Sequence, residues 1–276
     1  MINPLKTGRG IDRYFNRERT IQSMKPNLLK RKLSQGGVAL GINMQDAFSQ
    51  GIEILALLGF DYINIDCLHA PLSIESAARM VQTAEMRGIT AMVRVPQNVP
   101  EVILRYLDVG AGAIMVADMN NAQIARQAVR AVKYPPEGER GLAPVRVNDF
   151  GLGQPLGDYV RFANQETMVT GVIESKEGVD GIEEILSIPG LDAVTIGTTD
   201  LSISLGVPGQ LTHPLLQEAI QKILAAGQKT GKAIGIPLRR GESPKQAIEK
   251  GFRLMVTHMT TLVAGAAQKL MEEFKS

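Results

Sequence analysis

The sequence predicts an α/β fold, a (β/α)8 TIM barrel carried behind a basic N-terminal extension. Three observations point that way. From residue 38 onward, short apolar runs alternate with longer amphipathic ones. Eight short runs can be marked out, the strand number of a closed parallel barrel. Glycines stand where helices would hand over to the next strand.

The strand-like runs are Val38–Ile42, Tyr62–Ile65, Ala91–Arg94, Ala113–Val116, Met168–Ile173, Ala193–Ile196, Ala233–Ile236 and Leu254–Thr257. Each is made mostly of small or branched apolar residues, as in a parallel strand buried on both faces. Between them, Ile74, Ala77, Ala78 and Val81 recur at i, i+3, i+4 and i+7. Ala125, Ala128, Val129 and Val132 repeat the spacing, as do Leu216, Ala219, Ile220 and Ile223. Such stripes pack one helix face on a sheet and leave the other in water. Gly59, Gly88, Gly110, Gly231 and Gly251 are the expected left-handed caps. A doubly wound sheet is disfavoured because no G-x-G-x-x-G follows the first strand. No low-complexity linker interrupts residues 38–276, so 33–276 read as one catalytic domain behind an extension over 1–32. The connection from about 135 to 165, rich in Pro and Gly, reads as a long functional loop between the fourth and fifth strands.

Composition narrows the function classes. The 276 residues are 44% hydrophobic and 21% charged, with a mean hydropathy of +0.01. No apolar run approaches the roughly 20 residues needed to cross a bilayer, and no signal-peptide pattern opens the chain. The single cysteine, Cys67, excludes an intramolecular disulfide and a multi-cysteine zinc site and fits a reducing cytoplasm. Aromatics are 4% with no tryptophan, which is poor for stacking on nucleic-acid bases. The net charge of +2 hides a split: residues 1–32 hold nine Lys and Arg against two acids, +7, and the remaining 21 basic and 26 acidic residues give −5. The extension reads as solvated, or as an arm covering a neighbouring subunit, in preference to a nucleic-acid or lipid-binding segment.

A barrel does its chemistry at the C-terminal ends of its strands. Asp66, Cys67, Leu68 and His69 follow the second strand, and Arg94 ends the third. Glu174 ends the fifth, Thr198, Thr199 and Asp200 follow the sixth, Arg239 and Arg240 follow the seventh, and His258 the eighth. Two carboxylates from neighbouring strands can chelate a hard divalent cation and leave positions for water and substrate oxygens. A cation so held can stabilise the enolate of a 2-oxo acid. An arginine can neutralise the keto oxygen or the carboxylate, and a histidine can move the proton. Structural alternatives stand beside these roles. Glu174 and Asp200 can be ion-pair partners of Arg94, Asp200 a helix cap, His69 and His213 loop or helix-start residues, and Cys67 a small buried hydrophobe. Lys176, the one lysine near a strand end, is a remote Schiff-base candidate.

At these residues the chain resembles the HpcH/HpaI aldolases, metal-dependent class II pyruvate aldolases. The likeness runs through Gly59-Phe60-Asp61, Ile65-Asp66, His69-Ala70-Pro71, Val93-Arg94-Val95-Pro96 and Leu107-Asp108-Val109-Gly110-Ala111. It continues in Tyr134-Pro135-Pro136, Gly138, Arg140-Gly141, Ile173-Glu174, Ile196-Gly197 and Asp200-Leu201-Ser202. The resemblance implies Glu174 and Asp200 as ligands of a divalent metal, Mg2+ or Mn2+, and Arg94 on the pyruvate keto oxygen. It further implies His69 as acid/base, Asp66 orienting the site and Asp108 paired with the histidine. Because Asp108 precedes the fourth strand, it would reach His69 only from a neighbouring subunit, or else it is structural, and the family commonly forms homohexamers. Thr198 and Thr199 stand where the family carries P-x and are expected to meet substrate. Leu68, Val172 and Met259 replace polar family residues, with His258 beside Met259. The implied function is a lyase that reversibly cleaves a 4-hydroxy-2-oxo acid to pyruvate and an aldehyde through a metal-bound pyruvate enolate. An oxaloacetate-type decarboxylase, a specialised carbon–carbon bond-forming enzyme using the same enolate, and a catalytically degenerate binding barrel are the alternatives. Arg239 and Arg240 are candidates to meet an anionic acceptor.

Overall fold

The computed structural model describes residues 25–276, and eight parallel strands close into a barrel in sequence order. They are β1 (Ala39–Met44), β2 (Tyr62–Asp66), β3 (Thr90–Arg94), β4 (Ala113–Val116), β5 (Met168–Ile173), β6 (Ala193–Ile196), β7 (Ala233–Pro237) and β8 (Leu254–His258). The fourth, fifth and sixth match their apolar runs to the residue. β1 runs two residues past Ile42, to Asn43 and Met44. A polar residue inside the strand ended the apolar pattern there while the backbone ladder continued.

The helices between the strands are α2 (Ser49–Leu57), α3 (Ile74–Arg87), α4 (Pro100–Asp108), α5 (Ala122–Val132), α6 (Leu156–Glu166), α7 (Lys176–Asp180), α8 (Ile182–Ser187), α9 (Thr198–Ser204), α10 (Pro214–Thr230) and α11 (Pro244–Glu249). Helix α1 (Leu28–Ser34) precedes the barrel and α12 (Met259–Lys275) follows it. The stripes on α5 and α10 are buried as expected, whereas α3 turns Met80 and Ala84 inward and leaves Ala78 half-buried. All five cap glycines have positive φ. One core layer lies between strands and helices, and a second fills the barrel, where Tyr62, Met92, Met115, Met168 and Val172 meet. Each fully buried aliphatic side chain contributes about 1.5–3 kcal/mol.

Two expectations change on the side away from the strand C-termini. The proposed boundary at residue 32 falls inside α1, which buries Leu29 and Leu33 in the barrel-filling layer. The last part of the basic segment therefore joins the core. Its charges meet the acids of the barrel: Lys30 pairs with Asp192, Arg31 with Glu166 and Lys32 with Asp61. None of these pairs is sealed from water, so each contributes about 0–1 kcal/mol, and the leucines are the anchor. The remainder of the extension, residues 1–24, lies outside the described residues.

The stretch from 135 to 165 lies between the fourth and fifth strands as expected, but it is not a bare loop. It leaves α5, so it is a helix-to-strand connection, and those run at the N-terminal ends of the strands. It holds a 3-10 turn at Arg146–Gly151 and α6, and it packs Tyr134, Val147, Tyr159 and Ala163 into a core of its own. Arg140 stacks on Tyr134, 4.6 Å from the ring centroid.

Candidate active site

A cavity of about 330 Å³ opens at the C-terminal ends of the strands. His69, Arg94, Glu174, Thr198, Thr199, Asp200, Arg239, Arg240 and His258 all line it. The barrel thus brings together residues that lie up to 189 positions apart in sequence, from His69 to His258. Asn43, Gln45 and Asn64 line it as well and were not singled out in the sequence. Asn43 and Gln45 sit at i and i+2, the spacing of one strand face, which is the signal that would have found them.

Asp66 is the fixed point of one wall. It is 0% exposed. Its Oδ1 accepts from Arg94 Nε at 3.0 Å and its Oδ2 from Arg94 Nη2 at 2.6 Å, a two-pronged pairing that suits a guanidinium. The backbone N–H of Leu68 and of His69 also donate to Oδ1, and Gln45 Nε2 donates to Oδ2. Burial alone would raise this carboxyl, but the Arg94 pair and the surrounding donors hold it down at about 2. Arg94 is therefore oriented by Asp66. Neither Glu174 nor Asp200 has a Lys or Arg partner within ion-pair distance among the described residues, which argues against their role as structural partners of Arg94.

Glu174 leaves the end of β5 and is held by the backbone N–H of Asp118, 2.8 Å from its Oε1. Asp118 adopts a left-handed conformation, φ 49°, a strained geometry tolerated best by Asp, Asn and Gly. Gly197 lies so close that an added Cβ would stand 2.8 Å from Glu174 Oε2, so only glycine admits the carboxylate here. Burial pushes the Glu174 carboxyl up, and the charges of Asp118 and Asp200 add to the rise. Asp200 lies in the first turn of α9, whose cap is Gly197 and not Asp200. Two oxygen donors, one just past β5 and one on α9, the first lifted by burial and by its neighbours' negative charge, suit a hard divalent cation. Among the described residues, no cluster of three His, Cys, Asp or Glu forms, so such a cation would keep positions for water and substrate.

The remaining residues divide cleanly. Arg239 Nη2 donates to Thr198 Oγ1 at 2.9 Å, and Val172, 4% exposed, gives the cavity an apolar floor. Leu68 is half-buried and does not line the cavity. Cys67 is buried, with its thiol pushed up by desolvation, and Lys176 is exposed outside the cavity. His213 caps α10, accepting from Leu215 N–H. The structure does not bring Asp108 to the cavity. It ends α4, at the opposite end of the strands, where it pairs with the buried Arg140 at 3.1 Å.

The sequence profile of the HpcH/HpaI aldolase/citrate lyase family matches residues 44–261. The chain is 34% identical over 252 residues to a 5-keto-4-deoxy-D-glucarate aldolase of Klebsiella pneumoniae, covering 91% of this chain and 97% of that one. It is 33% identical over 249 residues to a 4-hydroxy-2-oxo-heptane-1,7-dioate aldolase of Escherichia coli, covering 90% and 95%. A crystal structure of an HpcH/HpaI aldolase/citrate lyase family protein from Burkholderia cenocepacia superposes with a TM-score of 0.85 at 32% identity, over 91% of this chain and 100% of that one. The chain belongs to the HpcH/HpaI aldolase/citrate lyase family and is an aldol-cleaving lyase.

Proposed function

We propose that the cavity binds a 4-hydroxy-2-oxo acid and cleaves it to pyruvate and an aldehyde. The observation that carries this reading is the pairing of unlike walls: two carboxylates with no Lys or Arg in ion-pair distance among the described residues face an arginine already locked by a buried aspartate. Glu174 and Asp200 would hold a divalent cation, Mg2+ or Mn2+, which supplies Lewis-acid stabilisation of negative charge on the 2-oxo group. Arg94 keeps N–H groups beyond those spent on Asp66 and directs them at the keto oxygen. The exposed imidazole of His69 takes the proton of the 4-hydroxyl. The bond between C3 and C4 then breaks, its electron pair forms the C2–C3 double bond of the enolate, and C4 leaves as the aldehyde carbonyl. Protonation at C3 gives pyruvate. Thr198 and Thr199 open α9 beside the cavity, where their N–H groups and hydroxyls can receive the substrate carboxylate.

Val172 favours one further reading, because an apolar floor suits loss of carbon dioxide from an oxaloacetate-type acid to the same enolate. The test is hydrogen–deuterium exchange at the pyruvate methyl, followed by NMR with Mg2+ or Mn2+ and with chelator. Metal-dependent exchange is expected. Its absence together with turnover of oxaloacetate would select decarboxylation, and silence in both would overturn the enzyme reading of this cavity.

The working assembly in this reading is a homo-oligomer in the cytoplasm, a hexamer by resemblance. Helix α12 has no buried residue over its 17 positions and exposes Val263, Leu270 and Phe274, the last 82% exposed, so a second copy of the chain is its natural cover. Asp108 has no part in single-chain chemistry and would meet His69 only across such an interface. Size-exclusion chromatography with light scattering checks the state, and a monomer at working concentration would overturn it.

A further inference from the structure

The cavity floor on its β8–β1–β2 side carries three polar side chains in one row, because strand register sets His258 beside Asn43 and Asn43 beside Asn64. Both asparagines are 4% exposed and His258 is half-buried. Asp66 decides their orientation. An ionised carboxylate accepts and cannot donate, and Asp66 Oδ2 lies 3.5 Å from Asn43 Nδ2. Asn43 therefore turns its NH2 toward Asp66, and the same NH2 stands 3.2 Å from His258 Nδ1. Its Oδ1, on the other side, accepts from Asn64 Nδ2 at 2.7 Å. Flipping either amide would set like groups face to face.

An NH2 donor against Nδ1 leaves that nitrogen no place for a proton, so the neutral ring carries its proton on Nε2. Nε2 has no protein partner among the described residues and is not sealed from solvent, and the ring lines the cavity. Asn64 Oδ1 is left buried without a partner. A network with such an orphan is a poor stabilising device, which points to a working one. Arg94, meanwhile, spends two of its three nitrogens on Asp66, so an oxygen gathering charge in front of it has room for a second donor.

We propose that His258 is a further catalytic residue, a fixed neutral Nε2–H donor to the substrate oxygen that becomes negative as the carbon–carbon bond breaks. The proposal rests on the aldol reading of the cavity. No proton leaves His258: a neutral imidazole N–H is too weak an acid to give one up, and it acts as an oriented dipole. Proton transfer stays with His69. Arg94 and Asp66 are the charged groups that face the ring. Burial and the Arg94 charge both push the imidazolium below its usual range, in keeping with a neutral ring.

Two measurements on the full chain test this. The chain has three histidines, so the ring nitrogens of His258 can be assigned by comparing nitrogen-15 spectra of wild type and His258→Gln. Nε2 should resonate as protonated and Nδ1 as bare near neutral pH. A protonated Nδ1 would overturn the proposal. The second measurement is kcat for aldol cleavage. Gln places an amide N–H near the Nε2 position and Asn places its oxygen near Nδ1. His258→Gln should keep most of the rate, whereas His258→Asn and His258→Leu should lose about a hundredfold in kcat with little change in KM. A structural role in supporting Asn43 predicts the reverse order, with Asn rescuing and Gln failing, and that order or an unimpaired His258→Leu would overturn the donor role. Wild-type turnover separates the two readings: without it the aldol reading falls and takes this role with it, while an active wild type and an active His258→Leu remove the donor role alone.

Discussion

The two walls of the cavity are built on opposite electrostatic plans. On the β1–β2–β3 side the charges are settled within the protein: Asp66 is fully buried and satisfied by Arg94, Gln45 and two backbone N–H groups. On the β5–β6 side, Glu174 and Asp200 face each other's charge with no Lys or Arg in ion-pair distance among the described residues, Arg94 acting on Glu174 only from further off. A finished ion pair orients its arginine and leaves only the unspent N–H groups for a ligand. Unpaired carboxylates cost the protein something until a cation arrives. The first wall is pre-organised and the second is waiting, and substitutions should tell them apart.

The largest expected effect is on the waiting wall. Glu174→Gln or Asp200→Asn should cut metal affinity by more than the 10- to 100-fold typical of residues that merely support a ligand, and should abolish metal-dependent turnover. Titration calorimetry with Mn2+ checks the first and steady-state kinetics the second. In chelator, Glu174→Gln should be at least as resistant to urea as wild type, since it removes a repelled charge. Unchanged turnover at saturating Mg2+ would end the metal assignment.

On the settled wall the sign reverses. Asp66→Ala leaves Arg94 part-buried without its partner and should cost about 3 kcal/mol in urea unfolding. It should also weaken binding of 2-oxo acids, because Arg94 loses its orientation. A variant as stable as wild type would show that the pair contributes no stability. The acid limb gives a finer check. The Asp66 carboxyl is held at about 2 in the folded chain, below its unfolded value near 3.9. Its contribution is therefore complete above pH ~4 and is lost as pH falls toward 2. The stability gap between wild type and Asp66→Asn should close over that window, and a gap independent of pH would contradict the shift.

The difference between the walls also explains what the sequence disclosed. Glu174, Asp200, Arg94 and His69 were legible because they follow apolar runs at positions where a barrel turns to chemistry. The eight strands were legible for the same reason, as periodicity is local. Asn43 and Asn64 were not: each is a polar residue inside a strand, and only the register of β8, β1 and β2 makes them a row. Asp66 was visible as an orienting residue, but its bond to Arg94 is made between strands. The long connection after α5 lies between the expected strands, but its helix and its small core were hidden behind the run of Pro and Gly. The extension over 1–32 reads as solvated or as an arm over a neighbouring subunit because its nine basic residues dominate it, yet Leu29 and Leu33 decide where its last turn sits.

The smallest expected effect belongs to the seam between the walls, where Arg239 donates to the Thr198 hydroxyl at 2.9 Å and has no carboxylate in ion-pair distance among the described residues. A half-buried guanidinium with a neutral partner keeps most of its field for a ligand. Arg239→Ala should raise KM about tenfold for aldehydes bearing a carboxylate, in line with ~1.5 kcal/mol for a hydrogen bond to a charged group. It should leave kcat and the KM for an uncharged aldehyde nearly unchanged. Equal losses with both aldehydes would show that Arg239 acts by positioning Thr198 and α9, not by meeting the acceptor's charge. That would return the seam to the waiting wall, as part of what holds Asp200 in place.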